Sequence, residues 1–304
     1  MMWPVAGPSW TSSAMSSNDL RVTPRRHSAF RLWAFRAIER VAIALGGRRF
    51  YRRWFLAPGR FEVRHEEVRV SAPELDGLCI AQLSDLHAGP FLQAGDLAHV
   101  VDALNAAGAD LIVFTGDLIS RNADEARELE ADLGRLEARL GVLGVFGNHD
   151  YHGRREREMA ERFAVGGMRF LFNEGVHPDP ALPLFVLGVE DLEEAKGVDV
   201  RAARAQRRAG DVEVLLCHNP HGAPAIADAA TALALSGHTH GGQVNLPVIR
   251  RLGPGHPGDR TELPSGGALI TSRGLGVVGP PVRVRARPDV VLVTLRGPAV
   301  GGAA

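Results

Sequence analysis

Residues 78–87 read Leu78-Cys79-Ile80-Ala81-Gln82-Leu83-Ser84-Asp85-Leu86-His87. An apolar run of this length, bounded by polar residues, predicts a strand buried on both faces over 78–84. It delivers a carboxylate and an imidazole, Asp85 and His87, just past its end. Open α/β sheets place ligands beyond the carboxyl ends of their strands. The same plan recurs four times. Strand-like residues 111–115 lead to Gly116-Asp117, and 142–146 lead to Gly147-Asn148-His149-Asp150. Residues 212–217 end at His218, and 233–236 end at Gly237-His238-Thr239-His240.

Seven of these side chains suit a pair of cations: Asp85, His87, Asp117, Asn148, His218, His238 and His240. Asp and His ligate Zn, Mn and Fe, and Asn offers its carbonyl oxygen. Asp85 and His87 are two apart, so an extended backbone would point both the same way, and the same holds for His238 and His240. Asp117 stands alone between the flanking pairs, which makes its two oxygens the natural bridge. Two cations about 3.5–4 Å apart would bind phosphate oxygens and offset developing charge. They would also lower the pKa of a bound water from about 15.7 towards about 7, giving a hydroxide nucleophile. His149 adjoins Asn148, and neighbouring side chains diverge. It is therefore expected to donate to the leaving oxygen or to the transition-state phosphate, with Asp150 orienting it.

The combination D-x-H, G-D, G-N-H-D, H and G-H-x-H resembles the calcineurin-like metallophosphoesterase family over residues 78–240. The resemblance implies an αββα sandwich of two mixed sheets and two divalent metal ions (Mn, Fe or Zn). Asp85, His87, Asp117 and His240 would hold one, and Asp117, Asn148, His218 and His238 the other, with His149 as the catalytic histidine. Gly-Asn-His-Asp-Tyr at 147–151, His-Asn-Pro at 218–220, Gly-His-Thr-His-Gly-Gly-Gln at 237–243 and Ser-Arg-Gly-Leu-Gly at 272–276 resemble a bacterial membrane-linked branch. That branch includes phosphodiesterases, cell-wall phosphatases and enzymes similar to UDP-diacylglucosamine pyrophosphatase. It implies a phosphorylated substrate that is lipid-linked or wall-linked. Position 221 is His where the branch carries Asp. Arg273, after a strand near the presumed rim, is expected to contact phosphate, with a structural salt bridge as the alternative.

Working outward, the chain has 304 residues and 45% apolar composition, enough for one large core. A first half patterned β-α-β-α-β argues for parallel pairing, and a strand-rich second half argues for a second sheet, so two stacked sheets flanked by helices are expected. Helices are predicted over 96–107, 123–140, 154–163 and 200–208. Further strands are predicted over 61–70, 168–172, 184–189, 268–272, 282–286 and 290–295. Cys79 and Cys217 both fall in strand-like runs and read as reduced core thiols. Formal charge is zero, and no basic groove or stacking aromatics adjoin the motifs, so nucleic acid is not expected as a partner.

Residues 1–27 lack periodicity and are expected to be disordered. Residues 28–60 form a basic segment ahead of the phosphoesterase domain at 61–297. Between Arg21 and Arg60 there are eleven Arg and one acid, Glu39. Residues 30–45 predict a helix with Phe30, Ala34, Ala37, Ile38, Val41 and Leu45 on one face. Three readings compete here. Arg mixed with aromatics favours an amphipathic helix on an anionic membrane surface, worth about 1 kcal/mol per basic side chain. That would make the protein peripheral to the cytoplasmic membrane. A cleaved export signal fits less well because Arg36, Glu39 and Arg40 interrupt it. The third is a helix packed on the domain. For function, the alternative to hydrolysis is a catalytically silent metal-binding scaffold, which would have no need of a proton donor such as His149.

Overall fold

The computed structural model describes Leu20, residues 29–246 and residues 258–298. Apart from Leu20, the expected disordered tract lies outside these residues. Two six-stranded mixed sheets form the framework. The first runs β1 (Glu62–Arg69), β12 (Asp289–Arg296), β2 (Cys79–Leu83), β3 (Leu111–Thr115), β4 (Val142–Val145) and β5 (Met168–Phe170). The second runs β10 (Arg260–Glu262), β11 (Ala268–Thr271), β9 (Thr231–Ser236), β8 (Val212–Leu216), β7 (Leu184–Gly188) and β6 (Glu174–Val176).

Side-chain alternation explains how the layers stack. In β2 and β3, Ile80, Leu111 and Val113 point between the sheets, where they meet Val186, Val214, Leu216, Leu235 and Ile270 of the second sheet. Ala81, Leu83, Ile112 and Phe114 point outward, under the helices α3 (Ala98–Ala107), α4 (Arg127–Leu133) and α5 (Glu156–Val165). On the far side, Phe185, Leu187 and Leu215 pack with Ala203 of α6 (Val200–Ala203) and Ile226 of α7 (Ala223–Ile226). The expected αββα sandwich is what forms. β2, β3 and β4 lie parallel and adjacent in one sheet, as do β8 and β9 in the other. Five neighbouring strand ends therefore open at the same edge of the sandwich.

Several elements differ from expectation. The helix predicted over 123–140 ends at Leu133, with a single 3-10 turn at Ala123–Ala126 before it. The helix predicted over 200–208 stops at Ala203. Arg204 and Arg207 there turn back to the buried Glu213 carboxylate, at 2.7 Å each. Tertiary ion pairing ends that helix where periodicity would extend it. The strand predicted over 282–286 reduces to one bridge, Val244 with Val284. β6 and β10, three residues each, were too short for a periodic signal.

The boundary expected near residue 60 does not separate the packing. After α1 (Ala29–Ala44) and α2 (Gly47–Tyr51), a π-helical turn at Arg52–Leu56 follows. Tyr51 and Leu56 are fully buried in the helix-side core of the first sheet. The Tyr51 hydroxyl donates to the Leu275 carbonyl. α1 also rotates away from its expected face: Ala42 and Ile43 pack against the core, Glu39 is buried beside Arg121, and Ile38, Val41 and Leu45 face outward.

Candidate metal centre

All seven expected ligands converge at the shared edge. Two neighbouring loops carry the first of them side by side: Asp85 N–H donates to the Gly116 carbonyl (2.9 Å) and His87 N–H to the Asp117 carbonyl (3.0 Å), prolonging the β2–β3 ladder. In the second sheet, Gly237 N–H donates to the His218 carbonyl (3.0 Å) and prolongs β8–β9. The spacing argument, however, assumed extended backbone. Asp85 (φ 49°), His87 (φ 48°), Asp117 (φ 53°), His238 (φ 68°) and His240 (φ 51°) all lie in the left-handed region. Non-glycine residues rarely adopt it, and such outliers persist only where surroundings over-determine them. The side chains converge through sharp local turns, not through strand alternation.

Crowding explains the neighbouring glycines. A Cβ on Gly237 would overlap the Ser84 hydroxyl and the Asp85 carboxylate, and one on Gly147 would overlap Asp117 and His218.

The donors sort into two groups sharing one residue. Asp85, His87, Asp117 and His240 form the first, and Asp117, His218 and His238 the second; within each, ligand atoms lie within 4.8 Å of one another. Nε2 of His87 and Nε2 of His240 face each other at 3.0 Å, and His240 Nε2 is 3.4 Å from Asp85 Oδ1. Asp117 Oδ2 lies 3.5 Å from His87 Nε2 and 3.3 Å from His218 Nε2, the position of a bridging oxygen. Asn148 Oδ1 completes the second group at 3.2 Å from His218 Nε2 and 3.0 Å from His238 Nδ1.

The electrostatics fit cations. Burial, with His149 nearby, holds His87 well below the usual imidazole pKa, and burial with His87 does the same to His240. Burial and then His218 push His238 down to about 3. Three imidazoles thus keep their lone pairs at neutral pH. Burial also pushes Asp85 up to about 6. Burial opposes a charge on His218, yet Asp117 and Asp85 outweigh it and hold His218 well above the usual value. A buried ionised carboxylate is costly unless paired. In the metal-free chain a proton on His218 supplies the positive charge that Asp117 requires, and a divalent ion among these donors would replace it. The residues therefore fit a two-cation centre.

His149 stands beside this centre, its ring 4.6 Å from that of His87 and perpendicular to it. Its backbone N–H donates to Asp117 Oδ1 (2.9 Å), and Nδ1 lies 2.7 Å from the Ser120 carbonyl. A carbonyl accepts only, so Nδ1 carries a proton and Nε2 is the working atom.

Asp150 does not orient His149 as expected. Its carboxylate is fully buried and accepts from Ile119 N–H (3.1 Å) and Gly147 N–H (2.9 Å), bracing two ligand loops. Burial and the Asp117 charge push its pKa up to about 8. Ser120 takes the role expected of Asp150. Arg273 is likewise not free for phosphate. Its guanidinium is bound to Glu62 (2.7 Å) and to both oxygens of Asp259 (3.1 and 2.6 Å), so the salt-bridge alternative holds. Cys79 and Cys217 are both free thiols, the first only half-buried.

Three contributors escaped the sequence reading. Gln82 bridges the sheets beneath the site, its amide donating to Thr115 Oγ1 (2.9 Å) and the Ser236 carbonyl (2.8 Å). Glu193 Oε1 lies 3.4 Å from His238 Nε2, the ring nitrogen that faces away from Asn148, and accepts from Asn219 (3.1 Å). Asp191 accepts from Glu193 and Glu194 N–H, at 2.9 and 2.7 Å, and fixes that loop. The acidic run 190–194 was the only available signal for the last two.

A family model described as calcineurin-like phosphoesterase matches residues 79–242. The uncharacterized metallophosphoesterase YkuE of Bacillus subtilis is 31% identical over 86% of this chain and 94% of its own length. An uncharacterized metallophosphoesterase of Aquifex aeolicus is 29% identical over 84% of this chain and 98% of its own. A Danio rerio protein named transmembrane protein with metallophosphoesterase domain is 28% identical over 73% of this chain and 54% of its own length.

Proposed function

Because the chain belongs to the calcineurin-like phosphoesterase family and is a phosphoesterase hydrolase, we propose that it cleaves a phosphate ester, phosphodiester or pyrophosphate bond with two divalent ions. The observation that carries the two-ion reading is Asp117 Oδ2, shared between the two ligand groups with His149 beside it. Asp85, His87, Asp117 and His240 would hold one cation, and Asp117, Asn148, His218 and His238 the other. When bound, such a pair supplies Lewis acidity and a water of lowered pKa.

The chain's own residues do the rest. Water gives up a proton to solvent and its oxygen bonds to phosphorus as the bond to the leaving oxygen breaks. His149 in its doubly protonated form passes the Nε2 proton to the leaving oxygen, keeps Nδ1–H on the Ser120 carbonyl, and regains a proton from solvent. The Ser120 carbonyl keeps the ring turned so that Nε2 faces the reaction. Asp150 holds the Gly147 and Ile119 backbone, and with it the loops that position Asn148 and Asp117. The decisive assay is hydrolysis of bis(p-nitrophenyl) phosphate with added manganese. Turnover that a chelator abolishes is expected; no turnover with any divalent metal would sink the proposal.

The N-terminal segment supports a site of action at an anionic membrane surface, on a lipid-linked or wall-linked substrate. Trp33, Val41, Leu45 and Trp54 are more than half exposed. Arg36, Arg40, Arg49 and Arg53 are exposed in the same segment. No helix among the described residues is long and apolar enough to cross a membrane. Insertion of a basic, aromatic surface into the headgroup layer matches this pattern. The zebrafish relative named as a transmembrane protein is consistent with it. Cosedimentation with phosphatidylglycerol vesicles that disappears when Arg49 and Arg53 are changed to Glu is the expected result, and binding that survives would count against it.

A further inference from the structure

Beside the metal centre lies a cleft of about 710 Å³ lined by arginines. Arg60, Arg273, Arg283, Arg285 and Arg287 reach it from widely separated positions, together with Trp54 of the N-terminal segment. Gly241 lines it too, one peptide from the metal ligand His240. Arg283 also touches that ligand: its guanidinium lies 3.3 Å from His240 Nδ1.

The charges in this cleft do not cancel. Arg273 is neutralised by Glu62 and Asp259, and Arg64 also leans on Asp259 at 3.4 Å. Asp259, the one carboxylate among the described lining residues, is therefore already shared. Arg283, only 6% exposed, donates to the carbonyls of Gly276, Arg273 and Ala286. Arg287 donates to the carbonyls of Arg60 and Gly59. Carbonyls fix a guanidinium in place without cancelling its charge. Arg60 sits over the Trp54 ring, 4.9 Å from its centroid. Among the described residues, none of Arg60, Arg283, Arg285 and Arg287 has a carboxylate partner. Arg285 is moreover held at φ 53°, where a non-glycine residue is strained, and strain of this kind gathers at ligand sites.

Four like charges around a cleft, two of them fixed by backbone carbonyls and none paired with a carboxylate among the described residues, are a cradle for an anion. Guanidinium is the group best matched to phosphate oxygens. We propose that this cleft is a second phosphoanion subsite, which takes the anionic group of the substrate lying beyond the scissile phosphate. The preferred substrate is then a diphosphate-linked compound, not a simple ester. Trp54, which lines the subsite, is itself an exposed aromatic residue of the N-terminal segment. The diphosphate can therefore arrive from solution or on a lipid. This rests on the phosphoesterase reading above.

The test uses the full chain loaded with manganese. The ratio of kcat/KM for a diphosphate to that for bis(p-nitrophenyl) phosphate is measured in wild type, Arg285→Ala, Arg60→Ala and Arg285→Lys. Two diphosphates separate the sources: UDP-glucose in solution, and farnesyl diphosphate in phosphatidylcholine vesicles. Where a diphosphate is not turned over, its Ki against bis(p-nitrophenyl) phosphate replaces kcat/KM. The ratio should fall tenfold or more in both Ala variants, through KM or Ki, and Arg285→Lys should recover part of it. Equal losses on both substrates, or no change in the ratio for either diphosphate, would overturn the subsite. If wild type does not hydrolyse bis(p-nitrophenyl) phosphate, the phosphoesterase reading fails by itself. Calorimetric titration with UDP-glucose then decides the cleft: binding weakened in Arg285→Ala supports it, and equal or absent binding refutes it.

Discussion

Replacing Asp117 by Asn should disable both cation sites at once. The substitution keeps the shape and an acceptor for the His149 N–H but removes the charge. The oxygen concerned lies 3.5 Å from a donor of the first group and 3.3 Å from a donor of the second. At about 4 Å and an effective dielectric near 20, one pair of unit charges is worth about 4 kcal/mol, and a dication doubles that. An amide dipole recovers part of it. Even a net loss of about 4 kcal/mol per site lowers affinity by roughly 10³. The second group suffers more, because its remaining donors, Asn148, His218 and His238, are all neutral once a cation replaces the proton. The first retains Asp85. Equilibrium dialysis against a competing chelator, with metal content read by mass spectrometry, should show both sites emptied, the Asn148-His218-His238 site at the lower chelator strength. Loss of one ion with the other at wild-type affinity would refute the shared oxygen, and full retention of both would refute the site itself.

His149→Ala should slow turnover by about 10² to 10⁴ while metal content survives, since His149 lies outside both ligand groups; loss of metal in this variant would show that it is a ligand. Glu193→Gln should weaken the cation at His238 by about 10–100-fold, seen as a higher metal concentration for half-maximal activity, and unchanged metal dependence would remove Glu193 from that role. Deleting residues 1–60 removes Tyr51 and Leu56 from the core. Losing the Leu alone costs about 2–5 kcal/mol, against a total stability of about 5–15 kcal/mol. Thermal unfolding should show a large drop for this deletion, and a melting temperature equal to that of the full chain would contradict the packing of the α2 region.

The ligand strands were legible because each is short, uniformly apolar and followed at once by polar chemistry. Residues 111–115 form the clearest case, where observed and expected bounds coincide. The helix over 123–140 failed because periodicity ignores where a chain must turn to meet its partners. Asp150 was misassigned because adjacency in sequence suggested contact with His149, whereas the backbone turn sends its carboxylate down to Gly147 and Ile119. The expectation of no basic groove failed for a related reason. The cleft draws Arg60 and Arg287 together across more than 200 residues, and no local window contains it.

By itself the sequence pointed to two stacked sheets flanked by helices and to seven candidate ligands, since strand periodicity and side-chain chemistry are local properties that survive any error in the path between them. Tertiary structure alone decided that the ligands converge through left-handed turns, that Ser120 and not Asp150 holds His149, and that part of the basic N-terminal segment is core. Those outcomes depend on which distant backbone groups and charges come to lie opposite one another, and on the burial that makes each contact decisive. Neither is encoded at any single position in the chain.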